Sequence, residues 1–292
     1  MFTLAHLSDP HLAPLPAPDW VELIGKRITG YFNWWRKRRF IHERSVLDKL
    51  TADLKAQHAD HIAVTGDIVN IAAQNEFPPG RAFLASLGDA HTVSYVPGNH
   101  DIYVRAGAFH AMQAFGIYMR GDDGDFPYLR RRGPLALIGV STGVPTAWGM
   151  ATGRIGDAQL AGLATLLAKL KREPVMRVIL IHHPPVSETG WHKRLIDADT
   201  LKQVVAEHGA ELLLHGHDHR TMLNWLDGPD GTRVPAVGVP SASAAPGVAK
   251  EAAGYNLYRI DGEPGAWRCE IISRGITADG AVVERKREML FG

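Results

Sequence analysis

The stretch Glu211-Leu-Leu-Leu-His-Gly-His-Asp-His219 decides how this 292-residue chain is read. A short leucine run, strand-like in length, climbs directly into three histidines and a carboxylate within five positions. The same event occurs four more times. Phe2-Thr-Leu-Ala-His-Leu7 leads into Ser8-Asp9-Pro10-His11, and His61-Ile-Ala-Val-Thr65 leads into Gly66-Asp67. Thr92-Val-Ser-Tyr-Val96 leads into Pro97-Gly98-Asn99-His100-Asp101, and Arg177-Val-Ile-Leu-Ile181 into His182-His183-Pro184-Pro185. Each run has the length and β-branched content of a strand. Open α/β sheets gather ligands beyond the carboxyl ends of their strands, so five such ends carrying Asp, Asn or His should meet in space.

Helical segments lie between these runs. Glu43 to Gln57 places Val46, Leu47, Leu50 and Leu54 along one helix face. Asp157 to Lys171 repeats the pattern, with Asp157 as the expected N-cap. Asp197 to His208 is a third such segment, ended by Gly209. Toward the C-terminus the pattern shifts, and Thr221–Leu226, Arg233–Val239, Tyr255–Ile260 and Trp267–Ser273 read as strands joined by Gly, Pro and Asp turns. Helix–strand alternation followed by a strand-rich tail predicts a layered α/β fold with more than one sheet. No repeat or low-complexity linker divides the chain, so residues 1–292 are expected to form a single domain.

Composition narrows the function classes. Hydrophobic residues at 45% and charged residues at 22% supply an ordinary core and argue against disorder. A formal charge of +1 gives no global pull toward nucleic acid. The single cysteine, Cys269, excludes an intrachain disulfide framework and fits a reducing compartment. No signal-peptide pattern opens the sequence and no long apolar run spans a bilayer, which leads to the expectation of a cytoplasmic protein.

At the strand ends stand Asp9, His11, Asp67, Asn99, His182, His217 and His219. A lone strand-end histidine is more often a hydrogen-bonded core residue than a ligand, but five successive ends carrying donors defeat that reading. Oxygen and imidazole nitrogen without thiolate suit Mn, Fe or Zn and suit Ca poorly. Seven donors exceed the needs of one ion and point to two, with Asp67 as the natural bridge.

The ordered set Asp9-Pro-His11, Gly66-Asp67, Gly98-Asn99-His100-Asp101, His182-His-Pro184 and Gly216-His217-Asp-His219 resembles the calcineurin-like metallophosphoesterase family over roughly residues 2 to 240. The resemblance implies a four-layer α-β-β-α sandwich of two mixed β-sheets flanked by helices. It implies one metal on Asp9, His11, Asp67 and His219, and a second on Asp67, Asn99, His182 and His217. The family pattern selects His182 over His183 and leaves His215 outside the ligand set. His100 is then expected to stabilise the transition state or protonate the leaving alkoxide, with Asp101 orienting it. Two divalent ions against two carboxylates and a hydroxide would leave a net positive pocket for a phosphate ester. Bound metal lowers the pKa of water from about 15.7 toward ~7, so hydroxide is at hand for in-line attack.

Within this superfamily the motif set resembles the bacterial phosphodiesterase branch that includes class III cyclic nucleotide phosphodiesterases. A second reading is a membrane-associated pyrophosphatase or phospholipase-like hydrolase similar to UDP-diacylglucosamine pyrophosphatases. A third is a metal-stabilised scaffold that has lost catalysis, against which the intact His100 argues. The second reading comes from residues 19–40, an insert between Asp9 and Asp67. It carries Lys26, Arg27, Arg36, Lys37, Arg38 and Arg39 against Asp19 and Glu22, with Trp20, Leu23, Ile24, Ile28, Tyr31, Trp34 and Trp35 near helical spacing. Such an amphipathic basic segment suits a peripheral membrane contact on the inner face, or a grip on a lipid or nucleotide substrate. The alternative is that its apolar face packs on the body or on a second subunit while the arginines stay solvated. No basic groove extends beyond it, which argues against nucleic acid. Two loops are expected at the pocket mouth, Ser141–Arg154 and Ser187–His192, the latter with Trp191 and His192.

Overall fold

Alternation of side chains along the central strands builds the molecule. The computed structural model describes residues 1–122 and 124–292. Its strands are β1 (Phe2–Leu7), β2 (His61–Val64), β3 (Val93–Tyr95), β4 (Tyr128–Arg132), β5 (Leu135–Gly139), β6 (Met176–Leu180), β7 (Leu212–His215), β8 (Met222–Asp227), β9 (Arg233–Gly238), β10 (Gly254–Glu263), β11 (Ala266–Ile276) and β12 (Val282–Phe291). Its α-helices are α1 (Lys26–Arg36), α2 (Arg44–Ala56), α3 (Phe77–Leu87), α4 (Arg105–Phe115), α5 (Asp157–Leu170) and α6 (Ala198–His208).

One six-stranded sheet has the order β12-β11-β10-β1-β2-β3 and the other β4-β5-β6-β7-β9-β8. Both are mixed: β1, β2 and β3 run parallel while β10, β11 and β12 alternate. In the second sheet β5, β6, β7 and β9 are parallel, with β4 and β8 antiparallel at the edges. Because successive strand residues face opposite sides, Leu135, Leu137, Leu212 and Leu214 meet Leu4, Ala63, Tyr258, Ile260 and Cys269 between the sheets. The alternate residues Ala136, Ile138 and Leu213 turn outward onto α5 and α6. On the other side Ala5, Leu7, Ile62 and Val64 pack on α2, α3 and α4. The layers are therefore helix, sheet, sheet, helix, as expected.

Several expectations change at the level of elements. Asp157 is the first residue of α5 and Gly156 is its N-cap; the carboxylate that serves this end is Asp197, which accepts from the Ile155 and Gly156 amides. The hairpin β4–β5, helices α3 and α4, and strand β12 have no counterpart in the sequence reading. β12 was hidden by its Glu-Arg-Lys-Arg-Glu run, the charged composition that protects an exposed sheet edge. The insert is not one helix: turns precede Gly25, α1 covers eleven residues, and a short 3-10 turn follows at Arg38–Phe40. Its apolar residues also divide. Leu23, Tyr31 and Trp34 pack inward on Leu15, Ile71 and Ala73, whereas Trp20, Ile24, Ile28 and Trp35 are exposed.

Candidate metal centre

Backbone strain marks the site before any side chain is considered. Asp9, His11, Asp67, His217 and His219 all have positive φ, between 34° and 71°, a region that non-glycine residues rarely occupy. The strain is held by pairing of the β1 and β2 exit loops, with Asp9 N to Gly66 O at 3.0 Å, His11 N to Asp67 O at 3.0 Å and Leu12 N to Ile68 O at 2.9 Å. Close packing accounts for the glycine before three of the ligands, Asp67, Asn99 and His217: a Cβ on Gly66 would meet the His182 ring, one on Gly98 the Asp67 carboxylate, and one on Gly216 the side chains of Ser8 and Asp9.

All seven predicted donors are linked by direct side-chain contacts, Asn99 through His182. Asp67 Oδ2 lies 3.3 Å from His182 Nε2 and 3.8 Å from His11 Nε2, so this carboxylate stands between the two histidine groups. His219 Nε2 lies 3.1 Å from Asp9 Oδ1 and 3.3 Å from His11 Nε2. His182 Nε2 lies 3.2 Å from Asn99 Oδ1 and 3.3 Å from His217 Nδ1. The two histidine-rich ends thus flank Asp67 in the arrangement expected for a bridged pair.

Hydrogen bonds at the far side of three of the four ligand rings orient them. His182 Nδ1 donates to Thr65 O at 2.6 Å, His11 Nδ1 to Val69 O at 3.3 Å, and His217 Nε2 to Lys193 O at 2.9 Å. Each bond leaves the other nitrogen aimed at the cluster, the usual way an imidazole is prepared as a metal ligand; although burial would lower His182, the Asp67 carboxylate pushes it up to about 10, so a bound cation would displace a proton there. Burial, with Arg38 next in effect, holds His11 well below the ordinary imidazole range, and burial with His183 does the same for His217. Burial would raise Asp67, but His182 and His100 pull it well below the usual carboxylate range. Ionised carboxylate and neutral imidazole are the forms that bind metal. By donor chemistry, geometry and orientation, these residues fit a pair of divalent cations.

The remaining predicted residues take other places. His183 is saturated, with Nδ1 2.7 Å from Thr142 Oγ1 and Nε2 3.2 Å from Ala151 O, and its ring lies 4.3 Å from that of His217. These bonds occupy both of its ring nitrogens, although His182, His183 and His217 also bring nitrogens close enough to share one ion. His215 is buried between Gly238 and Gly216, its Nδ1 3.3 Å from Gly216 O and its Nε2 without a partner among the described residues. Asp101 does not orient His100. Its carboxylate accepts from the amides of Asp67 (2.7 Å), Ile68 (2.9 Å), Val69 (3.1 Å) and Gly98 (2.8 Å) and from Tyr95 Oη (2.5 Å), binding the Asp67 and Asn99 loops together. Trp191 is 70% exposed; with His192 it belongs to a 3-10 turn that ends at Lys193, whose carbonyl serves His217.

His100 donates its backbone N–H to Asp67 Oδ1 at 2.7 Å, and its ring Nδ1 is bonded to Asn70 O. Burial, followed by the neighbouring Arg38 charge, pushes the ring down to about 3, so it is neutral at physiological pH. Its ring stands beside Arg38 at the edge of the cluster, where the sequence reading expects it to act on the phosphoryl group or the leaving oxygen.

Sequence reasoning missed two residues. Arg38 reaches the cleft from the insert: Nη1 lies 3.0 and 2.9 Å from the two ring nitrogens of His100, and Nη2 lies 2.7 Å from His11 Nε2. A cation held by His11 would require Nη2 to give up that nitrogen. The four consecutive cations Arg36 to Arg39 gave no sign of which one turns inward; the break at Lys37 (φ −133°, ψ −56°) selects Arg38. His42, the second, is 4% exposed, with Nδ1 2.9 Å from Ser243 Oγ and its ring 4.6 Å from that of His11. His11, His42 and His219 offer nitrogens close enough to share one ion.

The sequence model of the calcineurin-like phosphoesterases matches residues 2–221. No curated protein sequence matches the chain. Among solved structures, a dimetal phosphatase from Danio rerio is 12% identical, with a TM-score of 0.64 and coverage of 97% of this chain and 98% of that one. A purple acid phosphatase from yellow lupin seeds is 13% identical at a TM-score of 0.60, covering 97% of this chain and 52% of that one. A 5'-nucleotidase precursor from Thermus thermophilus is 13% identical at a TM-score of 0.51, covering 99% and 54% respectively. At such identities the likeness to these three is one of fold. With the family's sequence model spanning most of the length, the chain belongs to the calcineurin-like phosphoesterases.

Proposed function

We propose that this protein is a dinuclear-metal phosphodiesterase, in which Asp9, His11, Asp67 and His219 hold one divalent cation and Asp67, Asn99, His182 and His217 hold the other. The observation that carries this reading is the position of Asp67 between two sets of imidazoles whose ring nitrogens face it. The cations, when bound, supply Lewis acidity toward a phosphoryl oxygen and acidify a water at neutral pH. Mn, Fe and Zn all suit the donor set.

The chain's own residues do the rest. Arg38 presents a planar fork of donors at the His100 side of the cleft, the geometry that recognises phosphate oxygens in pairs. His100, neutral and anchored on Asn70 O, accepts from Arg38 and keeps that fork aimed at the charge that develops on the phosphoryl group. Asp101 keeps the Asp67 and Asn99 loops in register. A diester is favoured over a monoester by the motif set's resemblance to the bacterial phosphodiesterases.

Purified protein loaded with Mn should release nitrophenol from bis-p-nitrophenyl phosphate, and plasma emission analysis should find two metals per chain. Asp67→Asn should lose both. Wild-type protein that binds two metals and hydrolyses neither this diester nor the monoester would establish the scaffold reading. A panel of cyclic nucleotides, glycerophosphodiesters and nucleotide-linked lipids separates the diesterase from the lipid-linked pyrophosphatase, the reading that the exposed insert favours.

A further inference from the structure

The insert is built inside out. α1 is anchored to the body by polar and aromatic contacts on its inner face. Arg27 donates to Ile71 O and Ala72 O, Lys26 reaches Thr146 Oγ1 and Met150 O, and Tyr31 and Trp34 pack on Ile71 and Ala73. Its outer face, which water should make polar, carries large apolar side chains beside Thr29 and Asn33. Ile28, Phe32 and Trp35, spaced to fall on one stripe, are 51%, 56% and 49% exposed, and the preceding turn adds Trp20 at 75% and Ile24 at 72%. Since the inner face is already bonded to the protein, this stripe is not waiting to fold back.

Cations edge the stripe. Arg36, Lys37 and Arg39 are exposed at the end of α1, and the Arg39 guanidinium lies 5.0 Å over the Trp35 ring and 4.6 Å over Phe40. The acids of the segment are spent locally: Asp19 bonds the Val21 amide, and Glu22 the Gln74 amide and Arg27. Tryptophan and phenylalanine beside exposed arginine and lysine match the boundary between headgroups and acyl chains. A second copy of the chain fits less well, because a face-to-face pair would bring two sets of these cations together without acids between them.

We propose that residues 20–40 form a docking surface for an anionic phospholipid bilayer, with Trp20, Ile24, Ile28, Phe32 and Trp35 entering the interface and Arg36, Lys37 and Arg39 on the lipid phosphates. Among the described residues no helix is long and apolar enough to cross a membrane, so the attachment is peripheral. Arg38, between two of the docking cations, points to the metal cleft instead, which places the cleft beside the headgroups.

The test is flotation of the full-length protein with phosphatidylglycerol-rich vesicles and with pure phosphatidylcholine vesicles, at about 0.1 M ionic strength where the Debye length is ~10 Å. Wild-type protein should float with the anionic vesicles and be released by high salt. The triple variant Arg36→Ser, Lys37→Ser, Arg39→Ser should bind them about 100-fold more weakly, from ~1 kcal/mol per basic residue near the surface. Ile24→Ser with Ile28→Ser and Phe32→Ser should also abolish flotation. Both variants should keep the wild-type melting temperature and metal content, readouts that hold whatever reaction the site performs. Wild-type protein that ignores anionic vesicles would overturn the proposal. So would a stable dimer by light scattering that the apolar variant splits, which would assign the face to a second copy.

Discussion

Replacing Asp101 with asparagine tests the architecture of the site without touching a metal ligand. The side chain is fully buried, and its two oxygens serve five donors: the amides of Ile68 and Val69 on Oδ1, and those of Asp67 and Gly98 with the Tyr95 hydroxyl on Oδ2. Burial, with Asp67 nearby, pushes this carboxyl up to about 7, yet every contact is a donor, so the ionised form is the one this geometry accommodates. In Asp101→Asn one oxygen becomes an NH2 group. If the amide oxygen stays on Ile68 and Val69, the NH2 faces the Asp67 and Gly98 amides, while the tyrosine hydroxyl can rotate to accept. Two buried amides are then orphaned, at about 1–3 kcal/mol each, for a total of roughly 2–6 kcal/mol. At about 2–4 °C per kcal/mol, melting should fall by roughly 5–20 °C. Because the orphaned amides belong to Asp67 and to the residue before Asn99, metal affinity should fall as well, measured by plasma emission after dialysis against limiting Mn. Calorimetry showing a melting point within a degree of wild type, with two metals retained, would refute the assignment of Asp101 as the clamp.

Four further outcomes follow from the same contacts. His100→Ala should retain two metals while turnover on a diester falls by the order of 10²-fold, the scale of a lost charge-stabilising group; an unchanged rate removes its role. Arg38→Ala should raise KM and weaken inhibition by inorganic phosphate by about 10-fold or more, since a charge-assisted bond contributes ~1.5–3 kcal/mol, and Arg38→Lys should restore little because the planar fork is gone; an unaltered phosphate inhibition constant sinks that assignment. Gly98→Ala should cost metal binding before it costs folding, as its methyl would fall on the Asp67 carboxylate; full metal occupancy would contradict the packing argument. The fourth concerns acid stability. Asp53 is held bidentately by Arg274 at 2.7 and 2.8 Å and by the Tyr255 hydroxyl, and although burial would raise it, these partners leave it below its ordinary value. A depressed folded pKa stabilises above the unfolded value, ~3.9, and the effect fades as pH falls through the folded one. The melting-point gap between wild type and Asp53→Asn should therefore be open at pH 7 and shrink below pH ~4; a gap independent of pH would contradict it.

Much of the site was legible in the sequence because one local event repeats. A buried strand must end, and in a parallel arrangement all such ends fall on one side. Asp9, Asp67, Asn99, His182 and His217 could thus be assigned to one cleft with no tertiary information, and the family pattern resolved His182 from His183. What escaped depends on decisions made between elements. Whether Arg36, Lys37, Arg38 or Arg39 enters the cleft turns on where α1 stops, and nothing in four consecutive cations states that. His42 is visible as a histidine but not as a neighbour of His11, because Ser243, which holds its ring, lies 201 positions away. Asp101 was assigned to the adjacent His100, where chain proximity outweighed the pull of backbone amides lying more than thirty positions away in sequence. β12 escaped because an edge strand must look polar, which is also how a loop looks.

The distribution of strain bears on how the centre is made. Among the described residues eight non-glycine positions have positive φ, and five of them are predicted ligands. Each such conformation costs on the order of 1 kcal/mol or more, and here it recurs on three separate loops. Metal binding alone would be a poor source of compensation, since loops that adopted these angles only around a cation would be free to relax before it arrived. The compensation present in the fold is of another kind: paired amides between the Asp9 and Asp67 loops, the Asp101 carboxylate across the Asp67 and Asn99 loops, and the His217 amide on Asp9 Oδ2 at 3.0 Å. These bonds lie beneath the ligand side chains. They hold the backbone at angles that aim the donors inward, so hydrogen bonds of the fold itself contribute to the ordering of the centre.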